Sequence, residues 1–159
     1  MNRAALLARL AELGLTLPPV AAPVAAYVPA VRSGDYVYTS GQLPFVAGEL
    51  STTGKVGVGA DLVDPAVAKA LARTAALNAL AAVLSVVDED ARLRVVKVVG
   101  FVASAPDFTG QPGVVNGASE LLGEVMGEAG IHARSAVGVA VLPLDSPVEV
   151  ELVVELTHP

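Results

Sequence analysis

Val148-Glu149-Val150-Glu151-Leu152-Val153-Val154-Glu155-Leu156 alternates apolar and acidic side chains almost without a break. A period of two is that of a β-strand, whose successive side chains point to opposite faces. Val148, Val150, Leu152, Val154 and Leu156 should therefore face a core, while Glu149, Glu151, Val153 and Glu155 share the other face. Three carboxylates there have two readings: a face open to water, or a face on which one of them borders a pocket. The run before it, Ala133-Arg134-Ser135-Ala136-Val137-Gly138-Val139-Ala140-Val141-Leu142-Pro143, predicts a second strand over 135–142. Arg134, Ala136, Gly138 and Ala140 fall on one face, so a guanidinium stands at the end of a row of very small side chains. Small residues leave space, and arginine beside a cavity suits bidentate capture of a carboxylate or phosphate. The competing reading pairs Arg134 with a nearby glutamate.

Pro143-Leu144-Asp145-Ser146 between these strands predicts a hairpin turn. In a regular hairpin Arg134 would pair near Glu155, roughly 20 Å from Glu149 at about 3.3 Å per residue. The two could then meet only across a subunit boundary, or through a bulge that breaks the register.

Further out, residues 2–13 read as an amphipathic helix with Leu6, Leu7, Leu10 and Leu13 on one side and Gly14 at its end. A proline-rich stretch follows and must be extended. Residues 27–31 and 35–40 predict two strands joined by a tight turn at Arg32-Ser33-Gly34-Asp35, and 44–61 a loop with a short strand near Val56. Asp64-Pro65 is an N-cap followed by proline at the first helical position, opening a largely covered helix to about Val87. Residues 94–104 form a buried strand. Residues 111–129 form a second helix, with Glu120, Glu124 and Glu128 on a solvated stripe. The order αββ(β)αβαββ predicts a single α+β domain over 1–159: a mixed sheet with two main helices on one face, plus an N-terminal helix.

Composition limits the chemistry. Of 159 residues, 53% are hydrophobic and only 16% charged, against a usual charged share of about 25%. Mean hydropathy is +0.62. A monomer of this size would expose roughly 7,000–7,500 Å², more than such a composition suits, so the chain either enters a membrane or hides surface against copies of itself. The longest uncharged run, 13–31, contains Pro18, Pro19, Pro23 and Pro29, which break a spanning helix. No signal-peptide pattern opens the chain, and a cytoplasmic oligomer is expected. With no cysteine and two distant histidines, no metal is expected. A net charge of −6 with scattered Lys and Arg disfavours nucleic-acid binding. Residues 48–55 mimic a phosphate loop, but five residues separate the glycines and Val56 stands where Ser or Thr is required. Ser40 and Ser119 have no His–Asp pair near them in sequence.

The run Ala133 to Pro143, closing in Val148-Glu149-Val150-Glu151, resembles the C-terminal motif of the Rid family (RidA/YjgF, reactive intermediate deaminases). Tyr27-Val28, Thr39-Ser40-Gly41-Gln42-Leu43-Pro44 and Val115-Asn116 fit the same pattern, and the resemblance covers roughly residues 22–157. It implies a chorismate-mutase-like fold assembled as a homotrimer with sites between subunits. The implied activity is hydrolysis of 2-imino or 2-enamino acids to 2-oxo acids and ammonia, without cofactor. By position, Arg134 would grip the substrate carboxylate and Glu149 would orient or activate water, with Tyr27, Ser40 and Asn116 lining the pocket. Ala136 stands where the family carries Cys or a larger apolar residue, which widens the pocket. His132 replaces the usual Pro or Ala, either as a second anion ligand or as a satisfied loop residue. The first 20 residues, a helical extension, and the 44–61 loop are additional to the compact family core. They mark a divergent subgroup whose substrate need not be the small iminopropanoate. The alternatives are a catalytically silent trimer that binds a small carboxylate and, more remotely, an endoribonuclease or translation inhibitor.

Overall fold

The computed structural model describes residues 1–22 and 25–157, leaving Pro23 and Val24 of the proline-rich stretch outside it. Helix α1, Arg3–Glu12, starts where Asn2 Oδ1 accepts from Ala5 N at 2.9 Å. It buries Leu6 and Leu10 completely, whereas Leu7 is 39% exposed. A two-residue turn at Gly34-Asp35, with Gly34 at φ 59°, joins β1 (Ala30–Ser33) to β2 (Tyr36–Thr39). The first strand is therefore displaced from the expected 27–31: it starts at Ala30, takes in Arg32 and Ser33 of the predicted turn, and leaves Tyr27 before it. Helix α2, Pro65–Leu84, is capped by Asp64 Oδ1 on Ala66 N at 2.7 Å. It stops short of Val87 because Ser85 Oγ turns back to Ala82 O at 2.7 Å. Next come β3 (Arg92–Ala103) and α3 (Gln111–Met126), then a 3₁₀ turn Gly127–Gly130, β4 (Ala133–Val139) and β5 (Val148–Thr157). Gly127, at φ 58°, ends α3 three residues earlier than the sequence predicts.

The sheet order is β1-β2-β5-β3-β4, and it overturns the predicted hairpin. β4 runs parallel to β3, while β5 lies antiparallel between β3 and β2. The physical reason is α3: a strand–helix–strand unit lays its second strand parallel beside the first. The link after β4 then crosses the end of β3, where Ser104 N bonds Val139 O and Ala103 N bonds Pro147 O, both at 3.0 Å. It turns at Leu144 and Asp145, both at positive φ.

The alternation in β5 holds: its five apolar residues are at most 2% exposed and lie on the face covered by α2. Only that face of the sheet is covered. On the other, Val31, Tyr36, Tyr38 and Val137 are each at least 38% exposed, beside Glu149, Glu151, Val153 and Glu155. The single chain exposes 7691 Å², slightly more than size scaling gives for a compact monomer. Helix α2 is long and apolar enough to cross a bilayer, but 67% of its most apolar window is buried in this core. Glu120 and Glu124 are exposed yet not merely solvated. They pair with Lys69 at 2.9 Å and Arg73 at 2.7 Å, joining α3 to α2.

Candidate functional site

Arg134 sits near the start of the edge strand β4, on the helix-covered face, with its guanidinium laid along α3. Nη1 donates to Asn116 Oδ1 at 2.8 Å and to Ser119 Oγ at 3.2 Å, and Nη2 donates to Pro112 O at 3.3 Å. Pro112, Asn116 and Ser119 fall one turn apart on one stripe of α3, so helical periodicity alone aligns these acceptors. All three are neutral. Among the described residues no carboxylate pairs with Arg134, and nothing accepts from its Nε. The reading in which a neighbouring glutamate neutralises Arg134 therefore fails. The cation is half-buried, oriented, and has the Nε side of its fork available for a planar anion.

His132 supports this arrangement from behind. Its Nδ1 is 2.6 Å from Gly130 O, which can only accept, so Nδ1 carries the proton. Nε2, 2.9 Å from Ser119 Oγ, then accepts the serine hydroxyl. With both ring nitrogens engaged, His132 behaves as a satisfied loop residue that fixes Ser119, which in turn fixes Arg134. Ser119 was missed as a site residue, although its position three residues after Asn116 was a usable signal. Ala136 and Gly138 continue the row beyond Arg134. A Cβ on Gly138 would meet Gln111 Nε2 at 2.7 Å and Ser104 Oγ at 3.1 Å, so at that position the small side chain serves close approach of the β4 edge to these groups rather than open space.

Glu149 belongs to a second group. It rises from β5 on the uncovered face, and its carboxylate lies directly over Gly41, where any Cβ would collide with it. Gln42 pairs with Val150 through backbone bonds of 2.8 and 3.0 Å, fixing that approach. Ser40 precedes Gly41, and its hydroxyl donates to Val28 O at 2.6 Å, drawing the segment that carries Tyr27 toward β2. Burial raises the pKa of Glu149 above the ordinary carboxylate value, and the Glu151 carboxylate on the same face raises it further. Burial raises Glu151 as well.

The predicted site residues thus fall into two clusters: Arg134, Asn116, Ala136 and His132 at the β4–α3 edge, and Tyr27, Ser40 and Glu149 around β2 and β5. Arg134 stands opposite Val98, which stands opposite Leu152, whereas Glu149 stands opposite Phe101. The clusters are therefore two strands and three residues apart, about 10 Å in each direction, and they face opposite sides of the sheet. The predicted pairing of Arg134 near Glu155 was wrong along with the hairpin. Within one chain the two groups still do not meet. Among the described residues, no three of His, Asp and Glu come together as a metal-binding group.

A family model described as "YjgF/chorismate_mutase-like, putative endoribonuclease" matches residues 7–156. Protein TCP17 of Trypanosoma cruzi is 43% identical over 153 residues, covering 95% of this chain and 94% of that protein. The crystal structure of Atu1372, a protein of unknown function from Agrobacterium tumefaciens, is 47% identical with a TM-score of 0.82, covering 97% of this chain and 94% of its own. A structure described as a putative endoribonuclease from Shewanella oneidensis is 34% identical with a TM-score of 0.86, covering 94% and 98%. The YjgF gene product of Escherichia coli superposes less closely, at 27% identity and a TM-score of 0.59, covering 87% and 98%. A match that takes in 97% of this chain includes most of the N-terminal extension, so the Atu1372 structure shares it.

Proposed function

The chain belongs to the YjgF/chorismate mutase-like family, and from that premise we propose that it hydrolyses reactive 2-imino and 2-enamino acids to 2-oxo acids and ammonia. In this reading the sites form between subunits of a homotrimer, where the Arg134 cluster of one subunit faces the Glu149 cluster of the next. The observation that carries it is Arg134, a cation held in place by neutral acceptors and lacking a carboxylate of its own. The uncovered, largely apolar sheet face around Glu149 gives a second subunit a surface to bury, and it accounts for the excess of apolar residues.

The chemistry requires little. Arg134 holds the substrate carboxylate. The imine carbon is already electrophilic, so a placed water and a proton route suffice. Glu149 takes a proton as the water oxygen bonds to that carbon and delivers it to the nitrogen, giving a carbinolamine. It then carries the hydroxyl proton to the amino nitrogen, so the C–N bond breaks as the C=O bond forms, leaving the 2-oxo acid and ammonia. Tyr27, Ser40 and Asn116 line the space around the reacting atoms.

Semicarbazide trapping of an imine generated in situ tests this reading. The protein should accelerate imine loss, and Glu149→Gln should lose that acceleration while still binding the 2-oxo acid product. Product binding with no acceleration by the wild type would instead favour a silent carboxylate-binding trimer. Because Glu149 must be ionised to accept a proton, activity should fall as pH drops through its raised pKa. Glu151→Gln removes the neighbouring negative charge, the second cause of that rise, and should move the acid limb of kcat/KM to lower pH. An unmoved limb would show that Glu149 is not the titrating base.

A further inference from the structure

The N-terminal extension covers a cavity that none of the site residues explains. After α1, Leu15 N bonds Leu10 O at 2.8 Å, and Leu15 and Leu17 pack on the core, so residues 15–22 are anchored as a strap. Pro18, Pro19, Val20, Ala21 and Ala22 form with Phe45, Ala47 and Gly48 a half-open cavity of about 320 Å³, with Asn78 of α2 also in the wall. Ala21, Ala22 and Phe45 also line a narrower space of about 30 Å³, whose other walls include Tyr27 and Gly41. Gly41 is the residue on which the Glu149 carboxylate rests. The larger cavity therefore adjoins, through shared walls, the space beside Tyr27 and Gly41 of the Glu149 cluster.

Asn78 gives that cavity a chemical preference. It is only 5% exposed, and its Nδ2 donates to Leu43 O at 2.9 Å and Phe45 O at 3.0 Å. Two backbone carbonyls can only accept, so the amide orientation is determined and Oδ1 is the remaining atom. No described residue donates to Oδ1. Asn78 stands in the cavity wall, and Oδ1 is the polar atom it has left to offer an occupant. The occupant that matches is an apolar body ending in one hydrogen-bond donor: a hydroxyphenyl or indolyl side chain. An aliphatic chain with a terminal ammonium would leave a charge among prolines, alanines and Phe45.

Resting on the deaminase reading, we propose that residues 15–22 and Asn78 form a side-chain pocket that selects 2-imino acids bearing a hydroxyphenyl or indolyl group. A site built to accept a hydrogen bond discriminates against the analogue that lacks the donor, because its own polar atom is then left unpaired.

The test uses the full-length protein in two arms. In the first, p-cresol and 3-methylindole are titrated in the absence of substrate and followed by NMR. Saturable binding is expected, with toluene at least about tenfold weaker, and Ala21→Phe, which places a ring where the two spaces adjoin, should abolish it. Asn78 also holds the 43–45 loop, so Ala21→Phe is the safer variant. In the second arm, imines generated from tyrosine, phenylalanine and alanine are compared. The tyrosine imine should exceed the phenylalanine imine in kcat/KM by at least about tenfold, and Ala21→Phe should collapse the tyrosine-to-alanine ratio. If the alanine imine turns over but p-cresol does not bind and tyrosine gains nothing over phenylalanine, the pocket assignment falls and the deaminase reading stands. If p-cresol binds and no imine turns over, the deaminase reading falls, and the proposed substrate class with it.

Discussion

Arg134→Ala is expected to lower kcat/KM for 2-imino acids by roughly 10²–10³-fold, the scale set by truncating one partner of a buried, charge-assisted pair. The guanidinium bonds Asn116, Ser119 and Pro112 at 2.8–3.3 Å, so the binding geometry exists before substrate arrives and little ordering is left to be done on binding. Arg134 lies on an edge strand and is joined to neutral groups that water can replace, so its removal should leave the fold intact. Arg134→Lys should recover little. A point charge cannot bond the α3 acceptors and both carboxylate oxygens in one plane. Steady-state kinetics by semicarbazide trapping, with circular dichroism as the folding control, decides the matter. A folded Arg134→Ala protein with wild-type kcat/KM would remove the arginine from the site.

Gly117→Val should be the most damaging single change to stability, at about 3 kcal/mol or more by overpacking, or roughly 6–12 °C in Tm for a chain of this length. A Cβ at Gly117 would run into the Lys69 carbonyl of α2, with the Lys69 carbonyl carbon at 2.9 Å and Arg73 N at 3.2 Å. These are backbone atoms, so relief requires the two helices to separate. The Lys69–Glu120 and Arg73–Glu124 pairs bracket the same crossing, but as exposed pairs each contributes only about 0–1 kcal/mol and cannot hold it shut. Asn116 flanks Gly117 and Ser119 lies two residues further on, so the helix shift would also disturb the hold on Arg134. Gly123→Ala, on the same helix with nothing within 4 Å of the new Cβ, is the control. It should stabilise by up to about 1 kcal/mol through helix propensity. Equal melting temperatures for Gly117→Val and wild type would mean that the helices do not cross as described.

Much of the architecture was legible from local chemistry. Asn2, Asp64-Pro65 and the alternation of β5 each mark an element through a hydrogen bond or a periodicity contained in a few neighbouring residues. Strand partnership is not contained in that way. Pro143 to Ser146 looks like a hairpin turn, and only the parallel placement of β4 imposed by α3 shows that β3 lies between the two strands. The same limit governs the site. Arg134 and Glu149 stood out as polar exceptions on apolar faces, but their assignment to opposite sides of one sheet depends on register across three strands. Asn78 is the lone amide in the apolar run that begins at Ala75 of α2, but sequence alone does not separate a pocket amide from one that holds a loop. Here it does that with Nδ2 and leaves Oδ1 over.

The central claim is that the Arg134 and Glu149 clusters work together only across subunits, and mixing two inactive variants tests it directly. Arg134→Ala and Glu149→Gln chains, each with negligible imine hydrolysis, would be unfolded, combined in equal amounts and refolded. In a cyclic assembly with one cluster from each of two neighbours, about one quarter of the sites in a random mixture pair an intact Arg134 with an intact Glu149. Activity should therefore return to about a quarter of the wild-type level. Mixed oligomers demonstrated by mass spectrometry that stay as inactive as either parent would contradict it.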